Sequence, residues 1–174
     1  MGRVALVAPL AILLGAGGCK AASEPAIARE TVACDGVPQM AMTGRVTDAA
    51  EILTGEEEAR LSDRLARYEM RTKHQMVIAT TSSLHGARVD NFGTCLGERW
   101  EIGRQDHDDG IVILVAPKEQ QMRIATGLGM EKILTDDKAL AVIHEMIPQF
   151  KMRDYAGGLS TGIDAIAAQT GDTE

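Results

Sequence analysis

Two aspartates stand side by side at Asp108 and Asp109, just ahead of the apolar run Gly110-Ile-Val-Ile-Leu-Val-Ala116. A second run, Met122-Arg-Ile-Ala-Thr126, follows a short return and ends in Gly127-Leu-Gly129, with Glu131 close behind. If both runs are strands, so short a return makes them an antiparallel hairpin. Residues before the first strand then lie beside residues after the second. Asp108, Asp109 and Glu131 are thereby brought to one edge of a sheet, next to a glycine bend. Carboxylates with loop carbonyls are the donors that Ca2+ or Mg2+ take. The same aspartates suit turn chemistry, because Asx side chains accept from nearby backbone amides and Gly110 follows directly. Gly127 and Gly129 precede a helix, the setting of a phosphate cradle, but that helix starts about six residues later and no Lys-Ser/Thr pair is present. Backbone geometry explains these glycines better.

Other reactive side chains fall short of a nucleophilic constellation. His85-Gly86-Ala87-Arg88 is similar to the Arg-His-Gly start of histidine phosphatases, yet Leu84 stands where the phosphate-binding arginine belongs. Cys95 lacks the arginine of a Cys-x5-Arg loop, because Glu101 holds that place. His144-Glu145 lacks the second histidine of a zinc protease helix, where Pro148 sits. No Asp-x-Asp follows a strand. His107, beside the acidic loop, is either a participant there or a solvated loop residue. Phosphate-ester hydrolysis would therefore depend on metal-activated water.

These residues need a scaffold, and the apolar periodicity supplies one. The domain starts near Gly44. Thr54 with Glu57 forms a capping box, and Ala59, Leu61, Leu65 and Tyr68 give helical spacing to about Arg71. Gln75 to Thr81 reads as a strand covered on both faces. Asp90 caps a helix to about Glu101 with Phe92, Leu96 and Trp100 on one stripe. The helix between the first two strands makes them parallel through a right-handed crossover. Thr135 or Asp136 caps a helix carrying Leu140, Ile143 and Ile147, interrupted at Pro148. A last helix begins near Tyr155 and uses Leu159, Ile163 and Ile166. The expected architecture is α/β: a three-layer α/β/α sandwich with a small mixed sheet, one parallel crossover and one antiparallel hairpin.

Composition narrows the function classes. Net charge is −7 and the pI about 5.1, which leaves no electrostatic footprint for nucleic acid. Aromatics are 3% of the chain, too few for base-stacking platforms. Residues 1–19 read as a secretory signal: Arg3, an apolar stretch from Val4 to Leu14 broken by Pro9, then small residues up to Cys19. Ala16-Gly-Gly-Cys19 resembles a bacterial lipoprotein box, although Ala16 replaces the usual leucine. Cys19 is thus the expected lipidation site, carrying palmitate; the alternative is an ordinary cleaved signal. Residues 20–43 read as a flexible tether and residues 44–170 as the folded domain. Outside the cytoplasm a disulfide is permitted. Cys34 and Cys95 either pair, if the tether folds back, or remain a spare thiol and a buried helix residue.

Several landmarks occur in an order that resembles the TPM domain family, which includes a thylakoid-lumen protein of photosystem II repair. They are Val46-Thr-Asp48, Leu53-Thr54, Gln75 to Thr81, Trp100-Glu-Ile-Gly103, Asp108 to Ala116, Arg123 to Gly129, Leu134-Thr-Asp136 and Asp154-Tyr155. The resemblance implies a compact sandwich outside the cytoplasm. Family members are described as phosphatases, divalent-cation binders, or factors in assembly and repair of membrane complexes. It also brings Asp48 into the metal set with Asp108, Asp109 and Glu131, although spacing alone does not place it. Two departures touch that site: Asp109 stands where many relatives carry Asn, and Met130 intervenes before Glu131. Many bacterial relatives continue into a membrane helix and glycine-rich tail; here a lipid on Cys19 is the expected anchor. The resulting expectation is an envelope protein on the periplasmic face, lipid-anchored to the membrane. It would serve an unidentified membrane protein complex as a binding, assembly or repair accessory, with Ca2+ or Mg2+ as cofactor. The alternative is a metal-assisted phosphatase acting on phosphomonoesters.

Overall fold

Alternating apolar side chains on two central strands organise the molecule. The computed structural model describes residues 1–2 and 34–171, and from residue 34 onward these belong to one compact unit, Val32–Glu174. The signal segment, Cys19 and the tether up to residue 33 lie outside the described residues. Among the described residues the order is β1 (Val46–Asp48), α1 (Gly55–Thr72), β2 (Gln75–Thr80), α2 (Val89–Arg99), β3 (Gly110–Ala116), β4 (Gln121–Thr126), α3 (Asp136–Lys151) and α4 (Tyr155–Gln169).

The four strands form one open sheet in sequence order, with β1, β2 and β3 parallel and β4 antiparallel to β3. Strand residues alternate between faces. Met76, Ile78, Ile111, Ile113, Val115 and Ile124 pack with α1, α3 and α4 on one face. Val77, Ala79, Val112, Leu114, Ala116 and Ala125 pack with α2 on the other. This is the expected α/β architecture with a mixed sheet. The strand β1 was not expected as an element, since three residues are too few to show a period.

Helix α1 begins as its sequence dictates. Thr54 accepts from the Glu57 amide, and Glu57 returns a carboxylate to the Thr54 amide at 2.8 Å. Those bonds hold the Glu57 carboxyl below its usual range, the Thr54 amide most of all. At its far end the Tyr68 hydroxyl meets Thr170 Oγ1 at 2.7 Å in the core, tying α1 to the end of α4.

Four expectations are corrected. Arg88, not Asp90, is the N-cap residue of α2, and it offers no side-chain cap bond. Asp90 lies inside the first turn, where it pairs with Arg88 and accepts from the Asn91 amide at 2.8 Å. Helix α3 is not interrupted at Pro148 but runs through it to Lys151. Its buried face is Ala139, Val142 and Met146, while Leu140 is 51% exposed. Residues from Cys34 to Met40, expected as part of the tether, instead pack on the domain. Val37 is buried against the α2 layer. Arg99 Nη1 donates to the Pro38 carbonyl at 2.9 Å, Arg99 Nη2 to the Cys34 carbonyl at 2.8 Å, and Trp100 Nε1 to the Met40 carbonyl at 2.9 Å. Cys34 and Cys95 form a disulfide, their Cα atoms 5.7 Å apart.

Candidate functional site

The hairpin sets the geometry of the acidic loop. Gly110 and Thr126 lie at the open end of the β3–β4 pair, and the Gly127 amide continues the ladder to the Gly110 carbonyl at 2.9 Å. The Gly129 amide then donates to the Asp108 carbonyl at 3.0 Å. Contact is so close that a Cβ on Gly127 would collide with the Asp108 carbonyl, and one on Gly129 with the His107 carbonyl. The adjacency of the aspartate pair and the glycine bend is therefore present, and backbone approach accounts for both glycines. Asp108 itself has a φ of 49°, a left-handed conformation that Asp tolerates better than most residues.

Asp109 is turned inward and is 2% exposed. Its Oδ1 accepts from the Arg104 amide at 2.8 Å; its Oδ2 accepts from Arg104 Nε at 2.7 Å and Nη2 at 2.5 Å, and lies 3.0 Å from His74 Nδ1. Burial alone would raise this carboxyl. The Arg104 side chain, then the Arg104 amide and His74, outweigh burial and bring it down to about 2. Gln75 Oε1 accepts from the Gly103 amide at 2.8 Å, so the loop before β3 is held to the start of β2 at a second point.

His74 and Arg104 are the two residues that sequence reasoning missed here. His74 arrives through the parallel register, in which Gln75 pairs with Gly110 and the residue before β2 lies near the residue before β3; spacing along the chain does not give that register. His107, the histidine singled out from sequence, is exposed, and so is Glu131.

Asp48 does not join this group. It ends β1 and pairs with Thr80 at the end of β2, whereas Asp109 precedes the start of β3. In parallel strands those are opposite ends of the sheet, separated by about 20 Å of strand. There Asp48 Oδ2 accepts from the Leu53 amide at 2.8 Å and Oδ1 accepts from the buried Thr80 hydroxyl, which closes the loop into α1. The expected four-carboxylate set is thus split by the strand order.

The donor arrangement does not fit a preformed divalent centre. Asp109 has given both oxygens to a guanidinium, an amide and an imidazole, and Asp48 faces another loop. Among the described residues no three His, Cys, Asp or Glu side chains converge in a way that could hold a metal ion. Two open clefts lie elsewhere. One of about 530 Å3 runs between α1 and the start of α4, with Arg60, Arg64 and Arg67 facing Glu57, Asp63 and Asp154. The other, about 490 Å3, lies along β4 between the starts of α2 and α3. Both mix the two signs of charge, so neither concentrates a field for one kind of ion. Among the described residues no helix is long and apolar enough to cross a membrane.

A family model described as the TPM domain matches residues 46–169. Among solved structures, the chain is similar to the N-terminal domain of a P. gingivalis protein, at 29% identity and a TM-score of 0.67. That likeness covers 73% of this chain and 82% of that one. The N-terminal domain of a Corynebacterium glutamicum protein shares the fold at 13% identity and a TM-score of 0.60, covering 79% of this chain and 86% of that one. The BA42 protein of the psychrophilic Bizionia argentinensis shares it at 22% identity and a TM-score of 0.60, covering 68% and 84%. No curated protein matches the chain.

Proposed function

With the chain's membership of the TPM domain family as premise, we propose that it is a membrane-anchored envelope accessory that binds partners during assembly or repair and does not itself turn over a substrate. The observation that carries this reading is the state of the aspartates: Asp109 is locked by Arg104 and His74, and Asp48 by Leu53 and Thr80. A hydrolytic centre needs donors left open toward substrate or ion. Carboxylates engaged in this way hold loops in place. The loops at the Asp109 end and the two clefts then serve as shaped surface for a partner.

The anchoring part of the proposal rests on the sequence at Cys19, with a lipid there holding the protein to the periplasmic face of a membrane. A cation, in this reading, would be held weakly through Asp108, Glu131 and loop carbonyls, the donors nearest Gly127 and Gly129. It would stabilise the surface and take no part in a reaction.

Three measurements on the full chain test these points. Fatty-acid labelling should be lost in Cys19→Ala. Hydrolysis of a generic phosphomonoester, with and without Ca2+ or Mg2+, should not exceed background. Metal-dependent turnover that disappears in Asp108→Asn would sink the accessory reading and establish a phosphatase instead.

A further inference from the structure

The segment from Cys34 to Met42 carries no strand or helix, yet it lies along α2. Its attachments are few and of two kinds. One is covalent, the Cys34–Cys95 bridge. The others are carbonyl contacts from Arg99 and Trp100, the buried side chain of Val37 and the half-buried side chain of Met40. At its far end the segment is fastened separately, with the Thr43 amide donating to Thr47 Oγ1 at 3.1 Å beside β1. Such polar bonds contribute little net free energy each, whereas ordering each backbone residue costs about as much or more. Without the bridge, the contacts do not offset the entropy of this strap.

We propose that residues 34–42 form a redox-released strap, closed by the Cys34–Cys95 disulfide and opened by a dithiol reductant. The chemistry balances as ordinary exchange. A thiolate of the reductant attacks the Cys34 sulfur, since Cys34 is half-buried whereas Cys95 is fully buried. The S–S bond breaks, its electron pair leaves on the Cys95 sulfur, and that sulfur takes a proton. The reductant's second thiol then displaces Cys34 from the mixed disulfide. The reductant ends as a disulfide, having given two electrons and two protons to the two cysteines.

Opening has two consequences. The cluster of Cys95 on α2 with Trp100 and Ile102 just beyond its end loses the cover of Val37 and Met40. The point where the N-terminal segment joins the domain also moves from Cys34 on α2 to Thr43 beside β1, which adds nine residues of chain, about 30 Å when extended. The release does not depend on the accessory reading. Its use as a change of reach for an anchored domain does.

Trp100 is the only tryptophan of the chain and is bonded to the strap, so it reports the switch directly. The experiment treats the full oxidised chain with dithiothreitol and follows tryptophan emission together with hydrogen exchange of indole and amide N–H groups. Emission should shift to the red. The Trp100 indole N–H, released from the Met40 carbonyl, and the Val37 amide, released from the Cys34 carbonyl, should exchange about a hundredfold faster or more, while β2 and β3 amides keep their protection. Cys34→Ser should show the released state without reductant and no response to it. Unchanged protection of the Trp100 indole N–H and the Val37 amide in the reduced chain and in Cys34→Ser overturns the proposal. So does joint loss of protection in the strap and the sheet, since the bridge would then staple the whole fold. A bridge that dithiothreitol leaves intact overturns it as well, because the strap would be permanently locked.

Discussion

Asp109 occupies a position where removing one negative charge has a calculable consequence. Its carboxyl sits at about 2 in the folded chain against 3.8 for a free aspartate. A group whose pKa is depressed on folding adds stability above its unfolded pKa, and that stability is lost as pH falls through the folded value. The difference corresponds to about 2 kcal/mol at neutral pH. Asp109→Asn should cost about that much, and not the larger sum of a fully buried broken pair, because the Arg104 side chain is 45% exposed and water can take over its solvation. Denaturant unfolding at pH 7 should show the deficit. Repeating it between pH 4 and pH 2 should show the two proteins converging, because the parent loses its advantage there. Equal stabilities at pH 7 would remove Asp109 from its structural role. At this scale the sequence was informative about neighbours in a hairpin and silent about partners across the crossover. Asp108 lies beside Gly129 because one short return dictates it. Arg104 and His74 reach Asp109 through side-chain directions that spacing does not encode. Asp48 was misplaced because a shared landmark says nothing of which end of a parallel strand it marks.

Between elements, the same residue types carry different burdens according to how closely two backbones pass. Gly129 lies against the His107 carbonyl, whereas its neighbour Leu128 is 54% exposed. Gly129→Ala should therefore force the two loops apart and cost about 1–3 kcal/mol, while Leu128→Ala should stay within about 0.5 kcal/mol of the parent. Thermal melts of the pair give the comparison, and a silent Gly129→Ala would show that these loops yield freely. Close approach also explains why α3 was read in the wrong phase. Leu140, Ile143 and Ile147 are the bulkier side chains, so they looked like the core face. The face in use is one residue away, a rotation of about 100°. Met146 on that face occupies the space where Gly162 would carry a Cβ, and Phe150 does the same at Gly158. Glycines on α4 thus let the two helices approach on a face of modest side chains, which a scan for bulky apolar residues passes over. Helix α1 was legible because a capping box is written in adjacent residues. Helix α2 was less so, because its cap position is held by Arg88 without a side-chain bond.

For the molecule as a whole, the question is where the stable unit begins. Periodicity starts near Gly44, and the family match begins at residue 46. Among the described residues packing reaches back to Cys34. The disulfide closes a loop across a sequence separation of 61, and confining the unfolded chain to that extent is worth about 4 kcal/mol in the chain-entropy model, with 2–4 kcal/mol the usual yield. Burial of Val37 adds about 1–2 kcal/mol. The sheet and both helix layers, by contrast, are built wholly from residues after Arg45. A chain starting at residue 34, with the bridge formed, holds every described contact of the strap and is the reference. A chain starting at residue 44 should still fold cooperatively but melt roughly 6–24 °C lower than that reference, taking about 2–4 °C for each kcal/mol. Calorimetry of the two truncations under oxidising conditions decides it. If the shorter chain does not fold, the strap is a structural requirement. If both melt together, the strap contributes neither stability nor, by the same reasoning, a switch with anything to release.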